Sequence, residues 1–437
     1  MNRNLPRFEC LWRQGLDPQS EPAPVLPTKA RCVIIGAGYT GLNTALELAR
    51  GTGGEGIVVI DSLRVGDGAS GRNGGQVIPG LKLDPDQLVE RFGVDAGASL
   101  IETVGGAADY TFALINRLGI DCEARQSGWV QAAHTGGALD LLHQRARQWQ
   151  QWGSDVRMLD RQHTLALLGT SIYHGALLDT RAGQLQPYKY AQGLAAAARS
   201  CGVIIAQQTR ALTLRADAGG WLLSTSRGEI RADQVVIATN AYSPALLPGL
   251  PQTYVTLWSL QAATVPLPDD LAQQVLPGDI AVSDTFRVLR YYRRSDDGRF
   301  LLGTRGAFRD ELGAGDAKRV REEMLSIYPQ LANVQLSHCW CGRVAVPAST
   351  IPFLSQPAPG VTVALGYYGR GVAMATRMGG FVAALVNGLP AAQSAYPVLP
   401  YKPFPVAPLH RTAARVAANV MRMRDLLERR LRAGAGS

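Results

Sequence analysis

The sequence predicts an α/β fold in which a Rossmann-like unit is interleaved with a second, strand-rich domain. Three observations carry this expectation. Residues 31–61 read as strand, glycine turn, helix and strand, which is a βαβ unit. Residues 233–238 (DQVVIA) are a continuous apolar run, the mark of a strand buried on both faces of a parallel sheet. Residues 254–265, 287–292 and 300–303 are strand-rich and aromatic, which suggests a second, largely antiparallel sheet.

Taken in order, residues 1–30 are polar and punctuated by Pro18, Pro22, Pro24 and Pro27, so they read as an extended arm laid over the surface. The β-branched run 31–35 is a buried strand. Residues 39–50 place Leu42, Ala45, Leu46 and Ala49 at helical spacing, and the glycines of 51–56 end that helix. Residues 57–61 are the second strand. Helical segments are expected at 85–92, 97–118, 137–152 and 187–201, a strand at 203–206 and a hairpin over 211–226. A last strand at 360–366 and a helix at 372–385 look like a return to the first domain. The expected organisation is an arm at 1–30 and a discontinuous nucleotide-binding domain at 31–85, 186–250 and 340–390. A substrate domain occupies 86–185 and 251–339, and a C-terminal segment 391–437.

Composition narrows the partners. At 437 residues, 46% hydrophobic and 18% charged, the chain can bury the core of two intergrown domains. The net charge of +9 is nearly all arginine. No basic run interleaved with aromatics precedes the C-terminal helix, so small anionic ligands are expected and nucleic acid is not. Residues 1–19 carry charges throughout and lack the apolar core of a signal peptide, and no 20-residue apolar window occurs. The six cysteines follow no disulfide framework, which suits a reducing cytoplasm. His338-Cys339-Trp340-Cys341 matches no common zinc spacing, so buried free thiols are expected there and no metal.

Two glycine-rich turns carry the chemistry. Gly36-Ala-Gly38-Tyr-Thr-Gly41 follows a strand and opens a helix, where glycines let backbone N–H groups approach a pyrophosphate at the positive helix end. Asp61, at the end of the second strand, stands where a carboxylate grips a ribose diol. Directly after it, residues 66–76 (GDGASGRNGGQ) are too poor in side chains to build core. They make sense as a second cradle of amides against something flat and electron-rich, which a flavin needs and a nicotinamide nucleotide does not.

At these residues the chain resembles the glycine/D-amino-acid oxidase superfamily of FAD enzymes, in particular its γ-glutamylputrescine oxidase-like branch. The likeness runs through IIGAGYTGLNTALELA, VIDSLRVGDGASGRNGGQ, VVIATNAYSP (235–244), YYRRSDDGRFLLGT (291–304), WCGRVAV with STIPFL (340–354), GYYGRGVAMA (366–375) and KPFPVAPLHR (402–411). It implies a two-dinucleotide FAD-binding fold interleaved with a substrate domain built on a large mixed or antiparallel sheet. Gly36, Gly38, Thr40 and Gly41 would meet the pyrophosphate and Asp61 the ribose. Ser70, Arg72, Asn73, Gly74, Gly75 and Gln76 would line the flavin and ribityl chain. Ala211 would face the adenine, and Ala238, Thr239 and Asn240 would close the adenosine side. Gly369, Arg370, Gly371 and Val372 would meet the flavin's pyrimidine end, where the helix dipole stabilises negative charge on the reduced ring. Arg370 stands where the branch usually has histidine, and Thr350 where an acid is common. Related sarcosine oxidases attach flavin through a cysteine near this segment. Cys341 is out of register with it, so FAD is expected to be noncovalent.

The implied reaction is oxidation of the C–N bond of a small amine or amino acid to an imine, which hydrolyses to a carbonyl compound. No nucleophilic residue is required, and the six histidines are read as surface or core residues. Candidates for the substrate wall are Tyr39, Tyr254, Trp258, Tyr292, Trp340 and Tyr367, with Arg290, Arg305 and Arg370 for an anionic group. Residues 409–431 form an amphipathic basic helix. It either lies on an anionic membrane surface, passing electrons to quinone, or packs on its own protein or a sister subunit of a homo-oligomer. Three functions stay open: a cytoplasmic oxidase using oxygen and releasing peroxide, a peripheral membrane dehydrogenase, and a non-catalytic flavin-binding partner protein.

Overall fold

In the computed structural model, which describes residues 6–16, 23–306 and 308–403, two eight-stranded sheets organise the chain. The first has the order Phe353–Ala358, Val361–Leu365, Gly228–Ile237, Lys29–Ile35, Ile57–Ile60, Ile204–Ala206. Its five neighbours from Val361–Leu365 to Ile204–Ala206 run parallel. The hairpin Ala211–Asp217 and Gly220–Thr225 joins it antiparallel at Gly228–Ile237. The central strands divide their side chains by the two-residue period of a pleated strand. Cys32, Ile34, Ile57 and Val59 face the helices Tyr39–Ala49, Pro187–Ser200 and Gly371–Val386, while Val33, Ile35, Val58 and Ile60 pack with Leu223, Ile230 and Leu250. Both faces are covered, as an apolar parallel sheet requires.

The second sheet has the order Leu336–Pro347, Tyr254–Pro266, Arg299–Arg305, Tyr291–Arg294, Ala281–Asp284, Trp129–Ala133, Gly175–Asp179, Val156–Leu159. It is antiparallel throughout except where Ala281–Asp284 runs parallel to Trp129–Ala133. The α/β class and the pairing of a parallel sheet with a mixed one follow the expectation.

Several elements differ from the sequence reading. The segment 97–118 is two helices, Val94–Gly105 and Ala107–Leu118, parted at Gly106. Adjacent glycines weaken the helix there, and Trp149 packs so closely that a Cβ on Gly105 would lie 3.1 Å from its ring. Residues 287–290 form a turn, and the strand begins only at Tyr291. The boundary drawn at residue 340 falls inside Leu336–Pro347, whose pairing with Tyr254–Pro266 keeps residues 340–347 in the mixed sheet. The arm is not simply laid on the surface: Leu11 and Trp12 are buried in a cluster with Tyr188, Ala263, Leu301 and Trp340. Arg7 also bonds backbone-to-backbone with Ser337 and Cys339, covering an otherwise open edge of the mixed sheet. The stretch 409–431 lies outside the described residues.

The tight turn between strand and first helix is set by sterics. Gly36 holds φ at 113°, and a Cβ on Gly41 would collide with the Gly36 carbonyl oxygen. Gly41→Ala is expected to lower unfolding stability by about 1–3 kcal/mol through overpacking, measured in denaturant. Gly68→Ala, whose added carbon meets only Tyr242 ring atoms at 3.8–3.9 Å, should leave it nearly unchanged.

Candidate functional site

The first glycine turn is held open by its neighbours. The Gly36 N–H donates to Ile60 O at 2.8 Å, and a Cβ on Gly36 would come within 2.8 Å of Ala238 O. Asp61 accepts from the N–H of Ala37 at 2.8 Å and of Leu63 at 2.9 Å, so its carboxylate is fixed beside the turn. Burial pushes that carboxyl above its ordinary range despite these donors. Ser70 Oγ accepts from Tyr39 N–H at 3.0 Å, which ties the second glycine loop to the first.

That second loop is gripped by its carbonyls. Gly71 O accepts from Cys10 Sγ at 3.4 Å. Arg72 O accepts from Trp340 Nε1 at 3.0 Å and from Gln261 Nε2 at 2.6 Å. Asn73 O accepts from Trp12 Nε1 at 2.8 Å, Gly74 O from Arg293 Nε at 2.8 Å, and Gly75 O from Leu185 N–H at 2.8 Å. The donors come from the arm, from three strands of the mixed sheet and from the segment before Pro187–Ser200. With consecutive carbonyls engaged on one side, the loop's shape is set from behind. Arg293 is buried, which lowers its guanidinium pKa to about 10, and it lies 4.8 Å from the Trp12 ring centroid. A Cβ on Gly74 would come within 2.8 Å of the Tyr291 ring.

Both loops open on one cavity of about 1020 Å³. Of the residues expected to meet the cofactor, Gly36, Gly38, Thr40, Asp61, Ser70, Arg72, Asn73, Gly74 and Gln76 line it. So do Ala211, Ala238, Thr239, Asn240, Gly369, Arg370, Gly371 and Val372. Gly41 and Gly75 do not: Gly41 packs on Gly36, and Gly75, at φ 72°, packs on the Leu185 carbonyl.

The substrate candidates divide. Tyr39, Trp258, Arg305, Tyr367 and Arg370 line the cavity. Tyr39 donates to Pro187 O at 2.9 Å, Tyr367 meets Thr40 Oγ1 at 2.5 Å, and Trp258 donates to Asp310 at 2.7 Å. Tyr254, Arg290, Tyr292 and Trp340 do not line it. Tyr254 is core of the parallel sheet, and Tyr292 packs among Tyr173, Phe300 and Tyr328. Arg290, 1% exposed, is consumed by an ion pair with Asp284 at 2.5 Å. Trp340 serves the loop from behind.

The sequence reading missed Lys82, Trp129, Gln131, His134, Arg145 and Tyr291, all of which line the cavity. His134 borders the cavity while remaining buried and satisfied, its Nδ1 2.6 Å from Thr285 Oγ1. Arg145 chelates Asp84 and donates to Gln131 at 2.6 Å. Lys82 stood in plain view as one of few lysines, directly after the glycine loop, but no local pattern shows which way it points.

Trp12→Phe keeps an aromatic ring but removes the indole N–H that holds Asn73 O, with part of the buried ring surface. The expected outcome is FAD affinity weakened about 3–10-fold, from loss of one bond worth about 1 kcal/mol. Titration of the apoprotein by flavin fluorescence reads it, and an unchanged affinity would show that the arm does not shape the loop.

The family model described as DAO, FAD dependent oxidoreductase, matches residues 31–385. The chain is 34% identical to the probable oxidoreductase OrdL of Rhizobium meliloti (strain 1021), covering 86% of this chain and 88% of that protein. It is 30% identical to gamma-glutamylputrescine oxidoreductase of Escherichia coli (strain K12), covering 85% and 87%. Among solved structures, glycine oxidase from Geobacillus kaustophilus shares the fold with a TM-score of 0.72 at 21% identity, over 86% of this chain and all of that one. The chain belongs to the DAO family of FAD-dependent oxidoreductases.

Proposed function

We propose that this enzyme oxidises the C–N bond of a small amine that also carries a carboxylate, an amino acid or a γ-glutamyl-like amine, using noncovalently held FAD. The carrying observation is Arg370. It caps the N-terminus of Gly371–Val386, lines the cavity, and among the described residues pairs with no acid, its Nη1 donating only to Pro79 O at 3.3 Å. Its guanidinium stacks 4.9 Å from the Trp129 ring, and burial lowers its pKa to about 10, so it stays charged at neutral pH. A cation that lines the cavity with no acid paired to it suits a carboxylate. The relative named gamma-glutamylputrescine oxidoreductase is in keeping with an amine substrate.

The residues fit FAD. Gly36 and Gly38 leave room beside a helix N-terminus for a pyrophosphate, Asp61 for a ribose diol, and the outward-tied loop 71–75 for a flat ring. Bound FAD supplies the acceptor for the hydride leaving the amine-bearing carbon. The chain's own residues do the rest. Arg370 and Arg305 orient the acid, while Tyr39, Trp258, Tyr291 and Tyr367 wall the cavity and keep water from the reacting carbon. The positive end of Gly371–Val386 stabilises negative charge that develops beside it. Noncovalent attachment is supported by Cys341, which does not line the cavity and donates its thiol to Asp310 O at 3.1 Å. Oxygen is the proposed acceptor, with peroxide as its product and the cytoplasm as the proposed location. Among the described residues no helix is long and apolar enough to cross a membrane.

An anaerobic panel of amines and amino acids tests this reading. Acid-bearing amines should bleach the oxidised flavin, and in air each turnover should release one peroxide. Arg370→Met should raise the KM for such an amine about 10–100-fold, the loss of a charged hydrogen bond of about 1.5–3 kcal/mol. Preference for uncharged alkylamines defeats the proposal. Acid precipitation should release the yellow cofactor; colour kept on the pellet defeats the noncovalent part.

A further inference from the structure

Three cationic side chains meet at the Arg370 end of the cavity, and one of them has no task in the scheme above. Lys82 lines the cavity from the segment after the second glycine loop. Its side chain keeps an exposed surface while bordering the cavity. Its Nζ stands 5.7 Å from the Tyr368 ring centroid, and Cε is 4.0 Å from where a Cβ on Gly369 would be. Among the described residues it makes no hydrogen bond or ion pair. Asp84, the acid nearest in sequence, is taken by Arg145 through both oxygens, at 2.6 and 3.1 Å. Asp179 is likewise taken by Arg181.

We propose that Lys82 is the base that removes the proton from the substrate's ammonium group once Arg370 holds the substrate's carboxylate. This rests on the acid-bearing substrate class argued above. The step balances: an N–H bond of the ammonium breaks, its electron pair stays on the substrate nitrogen, and the proton forms a new N–H bond on Lys82 Nζ. The amine is then neutral, as C–H cleavage driven by its lone pair demands.

The groups around Lys82 set it up for this. In the free enzyme, protein atoms crowded around its ammonium lower its pKa to about 7, and the charges of Arg370 and Arg145 push the same way. Arg370 is itself surrounded by Arg145 and Arg181, offset by Asp84 and Asp179. Tyr368 adds a ring face. An arriving carboxylate offsets Arg370, and Lys82 then becomes a stronger base at the moment an ammonium is placed near it. Anion binding raises the lysine's pKa, so a proton is taken up at any pH between the free value and the raised one.

The test uses the FAD-loaded enzyme and acetate, a carboxylate with no amine to oxidise. Calorimetric titration at pH 8 in two buffers of different ionisation heat gives the protons exchanged. The wild type should take up roughly half a proton or more per acetate bound, because a nearby opposite charge raises a pKa by about 1–3 units. Lys82→Met should bind acetate with no uptake. In parallel, kcat/KM for an acid-bearing amine should rise through a limb near pH 7 in the wild type. In Lys82→Met that limb should shift to the substrate's own ammonium, about two or more pH units higher. Acetate binding without proton uptake, or the same limb in both proteins, overturns the assignment. Failure of acetate to bind also overturns it, while the amine panel alone decides the substrate class.

Discussion

The site depends on how one side-chain-poor loop is held. A glycine-rich segment has no side chains with which to choose a shape, and glycine loses more conformational freedom on ordering than any other residue. Here that freedom is removed by bonds to the carbonyls of residues 71–75, received from Cys10, Trp340, Gln261, Trp12, Arg293 and Leu185 N–H. Two of these donors are indoles whose rings also touch edge to face at 5.9 Å. The bulky residues lie behind the loop so that its front stays bare.

This arrangement explains why the mixed sheet and the arm cannot be separated from cofactor binding. Gln261, Arg293 and Trp340 belong to three strands of the mixed sheet, yet they act on a loop of the parallel sheet's domain. Trp12 arrives from the arm and is itself fixed by Gln186 Nε2, which donates to its carbonyl at 2.8 Å. The cavity is therefore a product of both sheets. Its electrostatics are equally shared: Arg370 caps the helix that returns to the parallel sheet, Arg145 comes from a helix after Trp129–Ala133, and Lys82 from the segment just before Pro85–Phe92. Three cations brought together with their acids already committed favour anionic ligands, in keeping with the arginine-rich composition.

Several misplacements in the sequence reading have one cause. Tyr291 and Tyr292 are neighbours on a strand and must point to opposite faces. The aromatic run announced the strand, but nothing local says which face meets the cavity; Tyr291 does, and Tyr292 fills the core. Arg290 and Arg370 differ in the same way. Arg290 finds Asp284 across a short turn and is neutralised, while Arg370 lines the cavity and among the described residues pairs with no acid. Trp340 and Trp258 sit on paired strands, and only the latter reaches the cavity.

By itself, the sequence determined what short-range physics controls. The run of β-branched residues, the Gly36–Gly41 turn and the amphipathic helix after it can hardly be anything but a nucleotide-binding βαβ unit, because period and glycine sterics act within a few residues. The second loop was legible for the same reason, as a stretch unable to build core. The tertiary structure alone decided that Arg370 and not Arg290 lines the cavity, which aromatic faces inward, that Lys82 and His134 reach the cavity, and that Trp12 is buried. Those outcomes depend on strand register and on partners up to hundreds of positions away, and no local pattern encodes the packing that selects among them.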